Sequence, residues 1–490
     1  MKYRLITHSL LIFFATLTGT NTHSSEQYEE VNTNVLALPT IGHTSSTLVS
    51  IEQERKLGEA WLRSLRGQVK TFDNPIIEEY LTHLIYTLAP YSTVIDRDFS
   101  LVMVDSQALN AFAVPGSVVG VNAGLFIHAF SEQEFASVIA HELAHLGQRH
   151  YARQLEQQAI STPLTLAGIL ASVVIAATAG SDAGIAALAA TQAMSVENQL
   201  GFSRQNEQEA DRIGIATMYR AGFNPREMPV MFERMFRQTR IQSANIPEYL
   251  STHPLSESRI SDTRNRATQY KLKKYTDNIE YHISKNIIIS QYAESKNSAS
   301  DYFNSIIKQG NTNQVDAANF GLAYAQLQNS PAVSIKILKN LIANDPNRIS
   351  FIVTYAKALN YNKQSKLAIT TLQSALERNP DNYPILDTLA EIYLANDLIQ
   401  ESEESLKKLV RKYPLNTRLW YALAEVHGLA GNIVSLHQAR AEYFFLTNHM
   451  DNAIKQLKLA MQKSKDNQQN SSLIQERLDE IYWVQKNPVF

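Results

Sequence analysis

Two histidines four positions apart frame a glutamate in His141-Glu142-Leu143-Ala144-His145. On a helix, residues i and i+4 share a face, so both imidazoles can direct a ring nitrogen at one cation. Glu142 is turned about 100° round the axis from His141. Its carboxylate therefore sits beside the cation rather than on it, placed to take a proton from water. Zinc suits this chemistry because it brings the pKa of its water to about 7, which supplies hydroxide at neutral pH. With 13 histidines in 490 residues, chance would produce the pattern about 0.02 times, so one zinc ion per chain is the leading expectation.

The third protein ligand must come from elsewhere. A three-histidine motif of the extended kind needs Gly and His three and six residues after His145; Gly147 and His150 stand two and five after it. His150 is therefore set aside. The segment Ser203-Arg204-Gln205-Asn206-Glu207-Gln208-Glu209-Ala210-Asp211 offers carboxylates on a helix face at Glu207 and Asp211. Glu207 can ligate from this second helix while Asp211 hydrogen-bonds a ligating histidine from behind. Glu209, two residues from Glu207, falls off that face and is expected in solvent or paired with a base. Thr252-His253-Pro254 and Arg259 form a further polar cluster; on sequence alone, a histidine beside proline reads as a loop residue.

The elements that hold these groups are legible around them. Ser131, with Glu134 three residues on, is a capping box that starts a helix running without Gly or Pro to Leu146. Ile139, Leu143 and Leu146 give that helix an apolar face to pack. Val118, Val119 and Val121 read as a strand, with Gly120 and Gly124 allowing close backbone approach. Such a strand either pairs a substrate peptide along its edge or is an ordinary internal strand. From Pro163 to Met194 the chain is rich in Ala and Gly, and Leu164–Gly180 carries no charge. Its length allows barely one membrane span, with a second arm too short for another, so 163–194 reads as a helical hairpin or lid near the active site that can make peripheral contact with a membrane or substrate. An integral-membrane metalloprotease is the competing reading.

Composition narrows the setting. There are 45 basic and 47 acidic side chains, a net charge of −2, which gives no electrostatic footprint for nucleic acid. Cysteine is absent, which excludes disulfides, thiolate ligands and a thiol nucleophile. Lys2 and Arg4 precede the apolar Leu10–Leu17 and the small, polar residues up to Ser25, the layout of a cleavable signal peptide. Residues 1–24 are read as that signal, and export without disulfides suits a periplasm.

The C-terminal half repeats itself. Pro346, Pro380 and Pro414 recur every 34 residues, as do Leu338, Leu372 and Leu406; Leu341, Ala375 and Leu409; and Ala356, Ala390 and Ala424. Four columns in one register describe a helix–turn–helix unit closed by proline, and they resemble the tetratricopeptide repeat. The expected division is a metallopeptidase domain over 25–283, a partly helical connector over 284–313 and a repeat domain over 314–490. A repeat array of this kind either presents a groove to a partner or docks on its own chain.

Taken together, the HExxH helix, the Glu207-to-Asp211 ExxxD motif, Asn110-Ala111-Phe112-Ala113-Val114-Pro115-Gly116, Thr252-His253-Pro254 and the C-terminal repeats resemble one group of HExxH/ExxxD gluzincin metallopeptidases. These are periplasmic enzymes of outer-membrane β-barrel assembly, and the similarity covers nearly the whole chain. The resemblance implies a mainly α fold: a gluzincin metallopeptidase domain with a small β-sheet, then an α-helical tetratricopeptide solenoid. It implies zinc on His141, His145 and Glu207, Glu142 as catalytic base and Asp211 as support. It further implies His253 as a fourth ligand that plugs the site, and Arg259 near enough to stabilise an oxyanion. The implied partners are unfolded or stalled outer-membrane proteins and, through the repeats, the barrel-assembly machinery. A chaperone or assembly adaptor with proteolysis in reserve is the alternative from another class.

Overall fold

The computed structural model describes residues 49–157, 204–241, 247–464 and 467–487. The signal-peptide reading and the 163–194 segment lie outside the described residues. The described residues open with two helices, α1 (Ile51–Gln68) and α2 (Pro75–Leu88), and then form β1 (Ser100–Val104), β2 (Ala111–Val114) and β3 (Val118–Asn122). Next come α3 (Ala123–His128), α4 (Glu132–Gly147) and α5 (His150–Gln157), followed by α6 (Arg204–Arg220), α7 (Glu227–Ile241), the short α8 (Glu248–Thr252) and α9 (Glu257–Thr268).

The three strands make one sheet in the order β1-β3-β2, with β3 parallel to β1 and antiparallel to β2. Side chains alternate between faces along a strand, and both faces are covered here. Val102, Val104, Phe112, Val114 and Val118 meet Leu57, Trp61, Leu62 and Leu65 of α1. Met103, Ala111, Val119 and Val121 turn toward the larger core that includes Phe135, Ile139 and Leu143 of α4. Gly120 is a packing requirement: a Cβ there would stand 2.0 Å from the Phe112 ring, and one on Gly124 would stand 2.2 Å from the Gln107 carbonyl oxygen. The valine strand is thus central, paired on both sides, and has no edge to offer a peptide. Of the flanking strands, β1 is approached on its outer side by Thr71 and Phe72.

The chemistry-bearing helix starts as its sequence dictates. Ser131 accepts a hydrogen bond from the Glu134 N–H, and α4 runs to Gly147. The reciprocal arm of the box differs from expectation, since Glu134 accepts from the Phe130 N–H at 2.6 Å, one residue before the cap, and also pairs with Arg234. Every residue of α4 but Leu146 is buried. Its neighbours are α6, α7 and β2, so the metal-binding face is held in the interior.

Beyond 278 the chain is helical among the described residues: α10 (Ile279–Tyr292) with α11 (Lys296–Gln309), α12 (Thr312–Ala325) with α13 (Pro331–Asn344), α14 (Ile349–Tyr361) with α15 (Ser365–Arg378), α16 (Tyr383–Leu394) with α17 (Ile399–Lys412), α18 (Thr417–Leu429) with α19 (Ile433–Leu446), and α20 (Met450–Lys463) with α21 (Gln468–Lys486). The four 34-residue columns behave as read. The leucine and alanine positions are buried, and Pro346, Pro380 and Pro414 each sit in the turn between one pair and the next. A fifth column went unread: Lys363, Asp397 and Gly431, also 34 apart, all have positive φ in the turn inside each pair.

The segment read as a connector has a different role. Both of its helices are regular, the 283/284 limit falls inside α10, and α10 is buried at Ile279 and from Tyr281 through Ile288, His282, Lys285 and Asn286 included, with Glu280 half-buried. Ile279, Tyr281, Ile283, Ile287 and Ile288 belong to the same apolar cluster as Phe126 and Phe135 on one side and Phe320 and Phe351 on the other. A helix buried on most of its circumference is a core helix, and its polar members find partners there, Lys285 donating to the Ala129 carbonyl and Asn286 to the Ala317 carbonyl; the polar residues around the short Ile287-Ile288-Ile289 run concealed this. Further on, α2 packs against α16. Asn382 donates to Glu79 at 2.7 Å, Asn416 to Glu78 at 3.1 Å, and Asn74 to the Tyr324 hydroxyl at 3.4 Å. The repeats therefore dock on their own chain.

Candidate metal centre

Helices α4 and α6 are packed side by side, which brings Glu207 to the histidine face of α4, and the turn after α8 delivers His253 from the opposite direction. All four residues are at most 3% exposed. His141 Nε2 lies 3.0 Å from His145 Nε2 and 3.5 Å from Glu207 Oε2. Glu207 Oε1 lies 3.3 Å from His145 Nε2 and 3.0 Å from His253 Nδ1, and His253 Nδ1 is 3.4 Å from His141 Nε2. Ligand bonds of 2.0–2.1 Å in a tetrahedron place ligand atoms about 3.3 Å apart. These five separations are 3.0–3.5 Å, with Glu207 meeting His141 through Oε2 and the other two histidines through Oε1, and one ligand atom from each of the four residues lies within 4.8 Å of the others, a spacing that one metal ion can bridge.

Electrostatics agree with a ligand set. Burial alone would raise Glu207, but His253, Arg259 and the hydrogen bonds of His141 and His145 outweigh it and hold the carboxylate well below its usual range. Burial, with His141 and His150 nearby, pushes His145 well below the ordinary histidine value despite Glu207, so it is neutral and can offer a lone pair. Burial opposes charge on His141 also, yet Asp211 and Glu207 raise it to about 9: without a cation the carboxylates retain a proton in its place.

Glu142 stands beside this group, not in it. Its Oε1 is 3.5 Å from His253 Nε2 and makes no hydrogen bond. Burial raises its pKa, against the pull of His253 and His141, which moves it toward the range of a working general base.

The supporting residues divide the work. His141 Nδ1 is 3.0 Å from Asp211 Oδ1, and Asp211 is gripped by Arg259 through Nε to Oδ2 at 2.8 Å and Nη2 to Oδ1 at 2.7 Å. Arg259 Nη1 lies 2.8 Å from Glu207 Oε2 and donates to the Pro254 carbonyl at 2.7 Å. All three guanidinium nitrogens thus meet protein acceptors in this arrangement, fixing the acidic side of the site and the start of α9 together. The segment that carries His253 is itself anchored: the Tyr249 N–H donates to the Leu109 carbonyl at 3.3 Å, and the Tyr249 ring stacks on His253 at 4.7 Å.

Sequence reasoning set His150 aside, while Glu209 is paired with bases, one of the two readings given for it. His150 is fully buried, with Nδ1 2.9 Å from Nδ1 of His145 and Nε2 3.2 Å from Glu209 Oε2; Arg153 donates to the same oxygen at 2.9 Å. Motif spacing gave no sign of this contact because α4 ends before His150: Arg149 takes φ +50°, and the chain turns back on itself. The available signal was the His150/Arg153 pair at i, i+3, two basic groups on one helix face awaiting an acid.

The chain matches the family described as peptidase family M48 over residues 75–267 and the tetratricopeptide repeat over residues 361–426. It is 32% identical over 452 residues to the beta-barrel assembly-enhancing protease of Escherichia coli strain K12, covering 92% of each chain. A putative beta-barrel assembly-enhancing protease of Vibrio cholerae serotype O1 is 32% identical over 422 residues, 86% of this chain and 87% of that one. The mitochondrial metalloendopeptidase OMA1 of Saccharomyces cerevisiae is 33% identical over 163 residues, 31% of this chain and 42% of its own. With an HExxH helix, a carboxylate from a second helix and a repeat array in one full-length match, the chain belongs to the family of beta-barrel assembly-enhancing proteases, metalloendopeptidases of the M48 type.

Proposed function

We propose that the protein is a periplasmic zinc endopeptidase that cleaves unfolded or stalled outer-membrane proteins during β-barrel assembly and removes misassembled ones. The observation that carries the reading is the buried group of His141, His145, Glu207 and His253, whose ligand atoms all lie within 4.8 Å of one another. Zinc held there supplies a Lewis acid that acidifies water and polarises a peptide carbonyl. Glu142 takes the water proton and returns it to the leaving amine, a task suited to a carboxylate whose pKa burial has raised. Asp211 orients His141, and Arg259 orients Asp211 and Glu207. A scissile segment can pair along β2, which lies against α4 and hydrogen-bonds only β3 within the sheet. Among the described residues no helix is long and apolar enough to cross a membrane.

His253 fills the position where substrate would approach, so the proposed resting state is closed. This supports a second role in which the protein acts as a chaperone or adaptor while its site is plugged, with the repeats contacting the assembly machinery. Glu142→Gln separates the readings. The variant is expected to keep one zinc per chain and lose cleavage of an unfolded outer-membrane protein; cleavage at the native rate would refute the mechanism. Complementation by that variant would assign the assembly role to binding, and its failure would assign it to proteolysis.

A further inference from the structure

Each ligating histidine has a second ring nitrogen, and the two are treated differently. His141 Nδ1 faces a carboxylate directly, Asp211, whose far side is held by Arg259. His145 Nδ1 faces another imidazole, His150, which faces Glu209, which is held by Arg153. Both lines end on an arginine, and one is longer by a ring.

The protons in the longer line can be counted. A histidine that ligates through Nε2 presents its lone pair there and carries its proton on Nδ1. His145 Nδ1–H then donates across the 2.9 Å contact to His150 Nδ1, which must be an acceptor. The proton of a neutral His150 is thereby on Nε2, directed at Glu209 Oε2 3.2 Å away. Reversal of either ring would set two N–H groups, or two lone pairs, against each other inside a site where His150 has no exposure. Arg153 at 2.9 Å keeps Glu209 in place as the terminal acceptor.

We infer that His150 and Glu209 are positioning residues that fix the tautomer and ring orientation of His145, so that its Nε2 is set for the metal before metal arrives. Arg149, in the left-handed conformation at φ +50°, is what returns the chain so that His150 meets His145; its side chain is tied to Glu54 at 3.1 Å and to the Val49 carbonyl at 2.6 Å. The inference rests on the metal group proposed above.

The test is zinc affinity of the full chain by chelator competition, with the visible spectrum of the cobalt-substituted protein as a second readout. His150→Ala is expected to weaken zinc binding about 10–100-fold and to alter the cobalt bands. His150→Asn, which keeps an acceptor near the Nδ1 position, should recover much of the affinity. Glu209→Gln should weaken binding, and in the double variant with His150→Ala it should add little, since one line is cut at two points. Native affinity and an unchanged cobalt spectrum in His150→Ala would overturn the inference. So would an affinity loss matched by an equal loss of metal-free thermal stability, the mark of a folding defect. Failure of the metal reading is distinguishable: it predicts that His141→Ala and Glu207→Ala bind zinc as the native chain does.

Discussion

The Nδ1 of His253 stands 3.0 Å from Glu207 Oε1 while its Nε2 stands 3.5 Å from Glu142 Oε1, so one imidazole spans the two carboxylates proposed as ligand and general base. A catalytic metal keeps one position for water or substrate, whereas a structural one is closed by four protein ligands. With His253 as the fourth ligand, as proposed, this site would take the closed form.

His253→Ala is therefore expected to raise the rate of cleavage of an unfolded substrate several-fold while zinc is retained by the other three ligands. Initial rates on a fluorogenic unfolded outer-membrane protein, with metal content measured in parallel, check this. Equal rates in the two proteins would show that His253 does not restrain the site.

Metal uptake should release protons. His141 is raised to about 9 in the metal-free protein, so near pH 7 it holds a proton that a metal must displace. Affinity should fall by about tenfold per unit as pH drops from about 9. Calorimetric titrations in buffers of different ionisation enthalpy should return close to one proton released from this residue at pH 7.5. A value near zero would mean the site is already deprotonated.

Arg259 is buried and holds two buried carboxylates, Asp211 and Glu207. Removing one partner of such a group leaves uncompensated charge, with a cost of about 3–5 kcal/mol. Arg259→Met should destabilise the metal-free protein by that order and the zinc-loaded protein by less, since the cation replaces part of the lost positive charge. Denaturant unfolding with and without zinc measures both; an equal effect in the two states would show that Arg259 acts only in packing.

Glu78, half-buried where α2 meets the repeats, is pushed up to about 7 by burial and by Asp73, against the pull of Arg418. A carboxyl whose pKa rises on folding binds its proton more tightly when folded, so folded-state stability grows as pH falls from about 7 toward 4.5. Above 7 the charged form costs on the order of 1–2 kcal/mol after allowance for solvent screening. Glu78→Gln should raise the melting temperature at pH 8 and leave it nearly unchanged at pH 5. The difference between native and variant isolates this group from Glu132 and Glu248, which are raised similarly.

How much of this was readable in advance follows the range of each signal. The α4 helix, its two histidines on one face and the 34-residue array rest on short, regular spacings, and each stands in the structure where the spacing put it. Glu207 and Asp211 were legible for the same reason, one helix turn apart. His150 was not, because its approach to His145 depends on a single left-handed residue, Arg149, and non-glycine residues give no warning of positive φ. The sheet order was also beyond reach. Nothing in Val118-Val119-Gly120-Val121 distinguishes a central strand from an edge, since that depends on where β1 and β2 fall. Arg259 was legible as a neighbour of the site, but its bidentate grip on Asp211 needed the packing of α9 on α6.

The α10 helix has a practical corollary. Because its residues lie in one apolar cluster with both halves of the chain, peptidase and repeats are welded rather than hinged. Cutting away the repeats would not deliver a free enzyme minus its docking arm; it would strip a wall from the enzyme's own interior. The roles of the two halves are better divided by surface substitutions than by scissors.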